Sequence, residues 1–245
     1  MTARRIGVLT PSSNSVLEPA TSAMLAGLDD LSAHFGRFRV TEISMGEGSQ
    51  SQFTGEPQLA AAELLADARV HSIVWSGTSA SWLGFEADRA LCARITERTG
   101  IAAGSAVLSI NALFAAIGAR RFGLVSPYVA DIQNRIVANY ASLGFECVAE
   151  RHLNETVNFA FAQFDEATVA AQIREVAQAK PDVITIMCTN MRGARIAPAL
   201  EAELGIPVID STSAALWGGL RLAGVDPARV RGWGHLFGVT AGQGS

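Results

Sequence analysis

The sequence is poor in charged residues and has no large excess of either sign. Only 17% of its 245 residues are charged, and 19 lysines and arginines stand against 23 aspartates and glutamates, which gives a formal net charge of -4. A protein that binds the nucleic-acid backbone needs a broad basic surface. We therefore expect no nucleic-acid partner.

A long hydrophobic run is also missing from the start of the chain. Arg4 and Arg5 precede an apolar stretch of four residues, and a polar turn follows at once. Such a stretch is too short for a signal peptide or a membrane span. We predict a cytoplasmic protein with no membrane partner.

Residues that bind metals or organic cofactors are few and scattered. Cys92, Cys147 and Cys188 form no CxxC pair, and none of the four histidines is spaced to complete a metal site or a hydrolase triad. A Walker A loop is lacking, and the motifs Gly46-Glu47-Gly48 and Gly242-Gln243-Gly244 do not fit a dinucleotide-binding loop. We expect neither a metal nor an organic cofactor.

What is present is an alternation of short apolar runs with longer segments of helical spacing. The predicted strands are 6–10, 39–43, 73–76, 122–126, 183–187 and 208–209, and the predicted helices are 58–69, 85–99, 132–143 and 166–179. This order predicts an α/β protein with mainly parallel sheets. Chemistry in such sheets lies at the carboxyl ends of the strands.

The second half of the chain repeats the first in three places. The matching segments are 4–11 with 120–127, 73–79 with 184–190, and 99–102 with 204–207. Three matches in one order predict two pseudo-symmetric, doubly wound lobes. We set the lobes at 1–117 and 118–245, and we consider that the last helix packs back on the first lobe.

Pseudo-twofold symmetry would bring equivalent strand ends together across a cleft, which is a common place for a small-molecule site. The facing residues would be Gly77-Thr78-Ser79 and Cys188-Thr189-Asn190, with Pro11-Ser12-Ser13-Asn14 and Pro127-Tyr128 at the sides. Cys188 precedes a polar turn into a helix, where N–H groups would lower its pKa. It is therefore the candidate catalytic residue, and Cys92 and Cys147 are predicted to be structural.

These motifs resemble those of maleate isomerases and arylmalonate decarboxylases in the aspartate/glutamate racemase superfamily. The resemblance is carried by 10–14, 78–79, 126–128 and 188–190, and it continues through 210–224. It implies a small dicarboxylate substrate and no cofactor. It also implies that Asn14 and Asn158 match asparagines that contact a carboxylate of the diacid in maleate isomerases.

The sequence departs from the racemases and isomerases at Gly77. Members of those groups resemble one another in having one cysteine in each half, and carried onto this chain the second falls on Cys188 and the first on Gly77. Arylmalonate decarboxylases share this glycine and the Thr78-Ser79 pair that follows it. The turn at 11–14 is more similar to maleate isomerases, so the resemblance leaves two activities open.

One thiol is sufficient to decarboxylate a substituted malonate, because the enediolate needs hydrogen-bond donors and one acid that protonates carbon. We predict Cys188 as this acid. The predicted donors are Thr78, Ser79, Tyr128 and Thr189, and the apolar wall for the leaving carboxylate is expected from Trp82, Leu83, Phe159 and Phe161. The alternatives are a one-thiol isomerase or racemase and a dicarboxylate-binding regulator. A thiol introduced by Gly77→Cys is expected to serve the second face and to add racemisation, while it slows decarboxylation because the new sulfur crowds the pocket.

Overall fold

Two four-stranded parallel sheets form the centre of the molecule. The structure is a computed structural model that describes residues 3–43 and 55–240, so both short glycine motifs considered above lie outside the described residues. The strands are β1 (Arg4–Pro11), β2 (Leu31–Phe38), β3 (Ser72–Trp75), β4 (Ala103–Ser105), β5 (Arg121–Ser126), β6 (Glu146–His152), β7 (Val183–Ile186) and β8 (Val208–Asp210).

Helices cover both sheets. They are α1 (Leu17–Met24), α2 (Glu56–Asp67), α3 (Ala80–Leu83), α4 (Phe85–Thr99), α5 (Ala106–Ala116), α6 (Ala130–Ser142), α7 (Asn158–Phe161), α8 (Glu166–Ala177), α9 (Ala197–Leu204) and α10 (Ser211–Leu222). Two short 3₁₀ turns, Pro227–Arg229 and His235–Gly238, follow. The central strands β3 and β7 are buried along their whole length, as expected for parallel strands covered on both faces.

The two sheets have the same topology. Their strand orders are β2-β1-β3-β4 and β6-β5-β7-β8, and all neighbours are parallel. Equivalent glycines mark the repeat: a Cβ atom at Gly7 would lie 3.0 Å from Val70, and one at Gly123 would lie 3.1 Å from Val176. The predicted α/β fold with two pseudo-symmetric parallel sheets is confirmed.

The last helix of each half packs against the other half. Phe114 of α5 packs against Phe122 and Phe145, with ring centroids 5.7 and 5.4 Å apart. In α10 the Gly219 carbonyl accepts a hydrogen bond of 2.7 Å from the Ser72 hydroxyl of β3. This exchange buries the junction of the lobes and holds the ends of β3 and β7 close together.

The strand predicted at 39–43 is wrong, because the second strand is β2 at Leu31–Phe38. Most of β2 is only partly buried, and it lies at an edge of its sheet, so its sequence lacks a continuous apolar run. Val40 and Ile43 are buried for another reason. They belong to the connection that follows β2 and face the junction of the lobes.

The buried carboxyl of Asp88 supports a prediction about stability. Its side chain is 2% exposed, Oδ2 has no hydrogen-bond partner, and burial raises its pKa from 3.8 to about 7. The folded chain therefore keeps a proton that the unfolded chain releases between about pH 4 and pH 7. The protonated carboxyl of Asp88 therefore contributes to the unfolding free energy below pH 4. This contribution is lost as the pH rises to 7, by up to about 4 kcal/mol at 1.4 kcal/mol per pH unit.

We therefore expect Asp88→Asn to flatten the fall in unfolding free energy between pH 4.5 and pH 7, measured by urea denaturation. Asp182→Asn is the matched control, since backbone N–H groups of Arg120 and Arg121 lower the pKa of Asp182 and its contribution is lost as the pH falls. An Asp88→Asn curve parallel to that of the wild type would contradict the assignment.

Candidate active site

The carboxyl ends of β1, β3, β5 and β7 border a cavity of about 20 Å³ at the junction of the lobes. Of the residues predicted for the site, those that line it are Pro11, Gly77, Thr78, Ser79, Tyr128, Asn158, Cys188 and Thr189. The remaining lining residues are Trp82, which was predicted for the apolar wall, and Val40, Ile43 and Trp75, which were not predicted. Residues far apart in sequence thus meet where the repeat predicted a cleft.

Cys188 lies directly after β7 and is 3% exposed. The backbone N–H of Asn190 donates a hydrogen bond of 3.4 Å to its sulfur. Burial nevertheless raises the pKa of this thiol to about 12, although the N–H of Asn190 and the phenol of Tyr128 act in the opposite direction. The predicted lowering of its pKa is wrong, because desolvation outweighs the donors at the turn. At neutral pH the group is a thiol, which is a proton donor.

Tyr128 joins the two strand ends. Its hydroxyl is 2.7 Å from the hydroxyl of Thr78, and its ring packs edge-on against Trp82 and Phe161 at 5.0 and 5.5 Å. Burial raises the pKa of the phenol well above its ordinary value, and Cys188 raises it further. The phenol therefore stays protonated and can donate to a bound oxyanion.

The Thr189 hydroxyl is already used within the fold. It donates 3.1 Å to the carbonyl of Ser76 and accepts 3.1 Å from the side-chain amide of Asn14. A hydroxyl has one hydrogen to donate. The donor that this arrangement leaves for a ligand at Thr189 is its backbone N–H.

Three predicted site residues are not brought to the cavity wall. Asn14 accepts from the backbone N–H groups of Val16 and Leu17 at the start of α1. Asn190 accepts from Ser15 and donates 2.6 Å to the carbonyl of Asn158, and Ser12 accepts from Val40. Asn14 and Asn190 tie the loop after β1 to the second lobe and hold Thr189 and Asn158 in position, while Ser12 is bonded within the first lobe.

The apolar wall differs from the predicted one. Trp82 lines the cavity, while Phe161 is buried behind Tyr128. Leu83 and Phe159 are 37% and 56% exposed and do not line it, so their assignment to the wall is wrong. Both lie in single-turn helices, α3 and α7, whose periodicity is too short to predict which side faces inward.

Trp75, Val40 and Ile43 line the cavity and were not among the predicted site residues, and Trp75 is the largest of them. The predicted strand 73–76 places Trp75 in its interior, whereas Trp75 is the last residue of β3 and its indole ring lies beside Gly77. A Cβ atom at Gly77 would lie far inside 3.0 Å from this ring, a separation that real Cβ contacts essentially never show. A thiol introduced by Gly77→Cys can therefore enter the cavity only if the indole shifts, and the group that the new sulfur would crowd is Trp75.

Within residues 3–43 and 55–240, no group of three or more histidine, cysteine, aspartate or glutamate residues could hold a metal ion. No helix in the same ranges has the length and apolar character of a membrane span.

Two pseudo-symmetric parallel-sheet lobes with a buried thiol at their junction agree with the aspartate/glutamate racemase superfamily of α/β proteins, which the sequence resembles. Within that superfamily, the family model of arylmalonate decarboxylase matches residues 6–237, and the chain belongs to this family.

The relatives of the chain include two kinds of enzyme. An arylmalonate decarboxylase of Bordetella bronchiseptica is 30% identical over 164 residues, covering 66% of this chain and 68% of that protein. A maleate isomerase of Pseudomonas putida KT2440 is 26% identical over 247 residues, covering 95% and 96%. The crystal structure of a maleate isomerase from Pseudomonas putida S16 with maleate superposes with a TM-score of 0.88 at 23% identity, over 98% of this chain and 99% of that chain. The chain is thus an enzyme of a family that includes decarboxylases and isomerases.

Proposed function

We propose that the protein is a decarboxylase of a substituted malonate that works without a cofactor. The observation that carries this proposal is the pairing of Cys188 with Gly77 at equivalent strand ends, where the isomerases and racemases that the chain resembles would have two thiols. Glycine has no side chain, so position 77 can supply neither a second proton carrier nor a nucleophile. Decarboxylation requires one acid only.

The reaction can be written with the groups around the cavity. One carboxylate of the malonate leaves as carbon dioxide, and the electron pair of the broken C–C bond forms an enediolate with the remaining carboxylate. The hydroxyl of Tyr128, the donors at Thr78 and Ser79 and the N–H of Thr189 stabilise its oxygens. The thiol of Cys188 then protonates the carbon, and the thiolate regains a proton from water.

The raised pKa of Cys188 favours this role. A thiol with a pKa of about 12 is protonated at pH 7, as a proton donor to carbon must be. A nucleophilic role would need the thiolate in the resting enzyme, and burial disfavours that charge. The apolar side chains of Val40, Ile43 and Trp82 further disfavour a charged leaving carboxylate and so promote its loss as neutral carbon dioxide.

The alternative is a maleate isomerase or racemase that uses one thiol. It is favoured by the maleate isomerase relative, whose similarity extends over 95% of the chain. Asn158, which by resemblance contacts a carboxylate in isomerases, also lines the cavity. A dicarboxylate-binding regulator is less well supported, because such a protein has no need for a thiol in the cavity.

The two activities differ in their products. We expect the enzyme to release carbon dioxide from malonates with a vinyl substituent, since this group delocalises the developing carbanion. Maleate incubated in parallel should give no fumarate. Conversion of maleate without release of carbon dioxide from any malonate would replace the proposed function by the alternative.

Prolonged dialysis against a strong chelator is expected to leave the rate of carbon dioxide release unchanged. The proposed charge stabilisation comes from hydroxyl and N–H donors and includes no metal ion. The rate is measured before and after dialysis and after adding back magnesium, manganese or zinc. Loss of activity that one of these ions restores would contradict the proposal.

A further inference from the structure

Space in the proposed site is limited by one large side chain. The cavity beside Cys188 has about 20 Å³, enough for little more than one water molecule, whereas sites for organic ligands usually measure about 300–1,000 Å³. A dicarboxylate can therefore bind only if a lining side chain yields. The ring of Trp75 fills the volume next to Gly77, on the wall that pseudo-symmetry sets opposite Cys188.

Other large polar side chains of the lining are held in place by hydrogen bonds. Tyr128 is bonded to Thr78, Asn158 to Ser13, and Thr189 to both Ser76 and Asn14. The indole nitrogen of Trp75 is buried and has no hydrogen-bond partner among the residues that the structure describes. Its ring is positioned by packing, which includes a tilted contact with Phe38 at 5.0 Å.

Trp75 also has a space into which it can move. It lines a second cavity of about 210 Å³, bordered by Gln58, Ser79, Leu83, Asp88 and Arg94 among others. Trp75 and Ser79 are common to the linings of both cavities. A ligand that pushes the indole away from Gly77 can therefore drive it toward this second cavity, and a larger substituent requires a larger displacement.

We propose that Trp75 is a specificity-determining residue that sets the size of the substituent on the bound dicarboxylate. Each increment in the size of the substituent moves the indole further from its packed position, at a growing cost in binding. Compact substituents of methyl or vinyl size are preferred, and an aryl ring is disfavoured. This inference rests on the proposed function only in taking the ligand to be a substituted dicarboxylate.

The test uses 2-methylsuccinate and 2-phenylsuccinate, which carry the two carboxylates but cannot form the enediolate by losing one. Isothermal titration calorimetry on the full chain gives the ratio of their dissociation constants. We expect the wild type to bind phenylsuccinate at least about 10-fold more weakly than methylsuccinate, and Trp75→Leu to reduce this ratio by about 10-fold or more. Trp75→Phe keeps a ring against Phe38 and should give an intermediate ratio of dissociation constants. It replaces Trp75→Leu in the test if the leucine variant does not fold.

Trp233→Leu is the matched control, since Trp233 lies outside both cavities and packs under the guanidinium of Arg195. It should leave the ratio unchanged. A phenyl-to-methyl ratio that neither Trp75 variant alters overturns the inference. The outcome is independent of catalysis: failure to release carbon dioxide refutes the proposed function, while the binding ratio decides the role of Trp75.

Discussion

Cys188→Ala is expected to fold like the wild type and to lose at least about 100-fold in the rate of carbon dioxide release, the size typical of general acid catalysis. The thiol of Cys188 is the one at the cavity, and alanine leaves the donors around it in place. Because the lost step is proton delivery to carbon, kcat should fall much more than KM rises. The measurement is steady-state release of carbon dioxide, with circular dichroism as the check on folding.

Cys92→Ala provides a matched control for this experiment. Cys92 is also buried, and burial likewise raises its pKa to about 12, but it lies within α4 away from the cavity. The two thiols thus differ in position far more than in acidity. Retention of the wild-type rate by Cys188→Ala, or an equal loss in both variants, would remove Cys188 from the mechanism.

Tyr128→Phe is expected to lower kcat by about 10²–10³-fold, the loss seen when one donor is removed from an oxyanion hole. The phenol is buried, it bonds Thr78 across the lobe junction, and it interacts with Cys188. Phenylalanine keeps the ring contacts with Trp82 and Phe161 and removes the donor alone. The effect should appear in kcat because the donor acts on charge that develops during the reaction.

Tyr140→Phe is the control for that substitution. Tyr140 is fully buried in the aromatic cluster around Phe114, and its hydroxyl has no hydrogen-bond partner. Removing this hydroxyl should leave kcat within about 2-fold of the wild type, because it leaves no partner group unsatisfied. A Tyr128→Phe enzyme as active as Tyr140→Phe would show that the phenol does not stabilise the enediolate.

Much of the fold could be predicted because the sequence repeats itself. The segments ending in Thr10, Ser76, Ser126 and Met187 are short, apolar and bounded by turns, and the strands β1, β3, β5 and β7 lie there. The edge strand β2 was misplaced since its residues are half-exposed and do not form a run. Sequence periodicity reports burial, and an edge strand buries too little to be distinguished from a loop.

The candidate site was predictable to the extent that it lies at the ends of those strands. Gly77-Thr78-Ser79 and Cys188-Thr189 follow directly from the repeat. Two features did not follow. The pKa of Cys188 depends on the balance between desolvation and local donors, which requires the surroundings in three dimensions. The position of Trp75 depends on a side-chain torsion that folds the indole toward a glycine two residues later.

The central claim is that a single thiol protonates the product from one face, and the stereochemistry of decarboxylation tests it most directly. Methyl(vinyl)malonate is prochiral and compact, and its loss of carbon dioxide gives a chiral monoacid that chiral chromatography resolves. With Cys188 on one side and Gly77 under the Trp75 ring on the other, we predict one predominant enantiomer that the enzyme does not racemise. A racemic product, or interconversion of the isolated enantiomers at a rate near that of decarboxylation, would contradict the account.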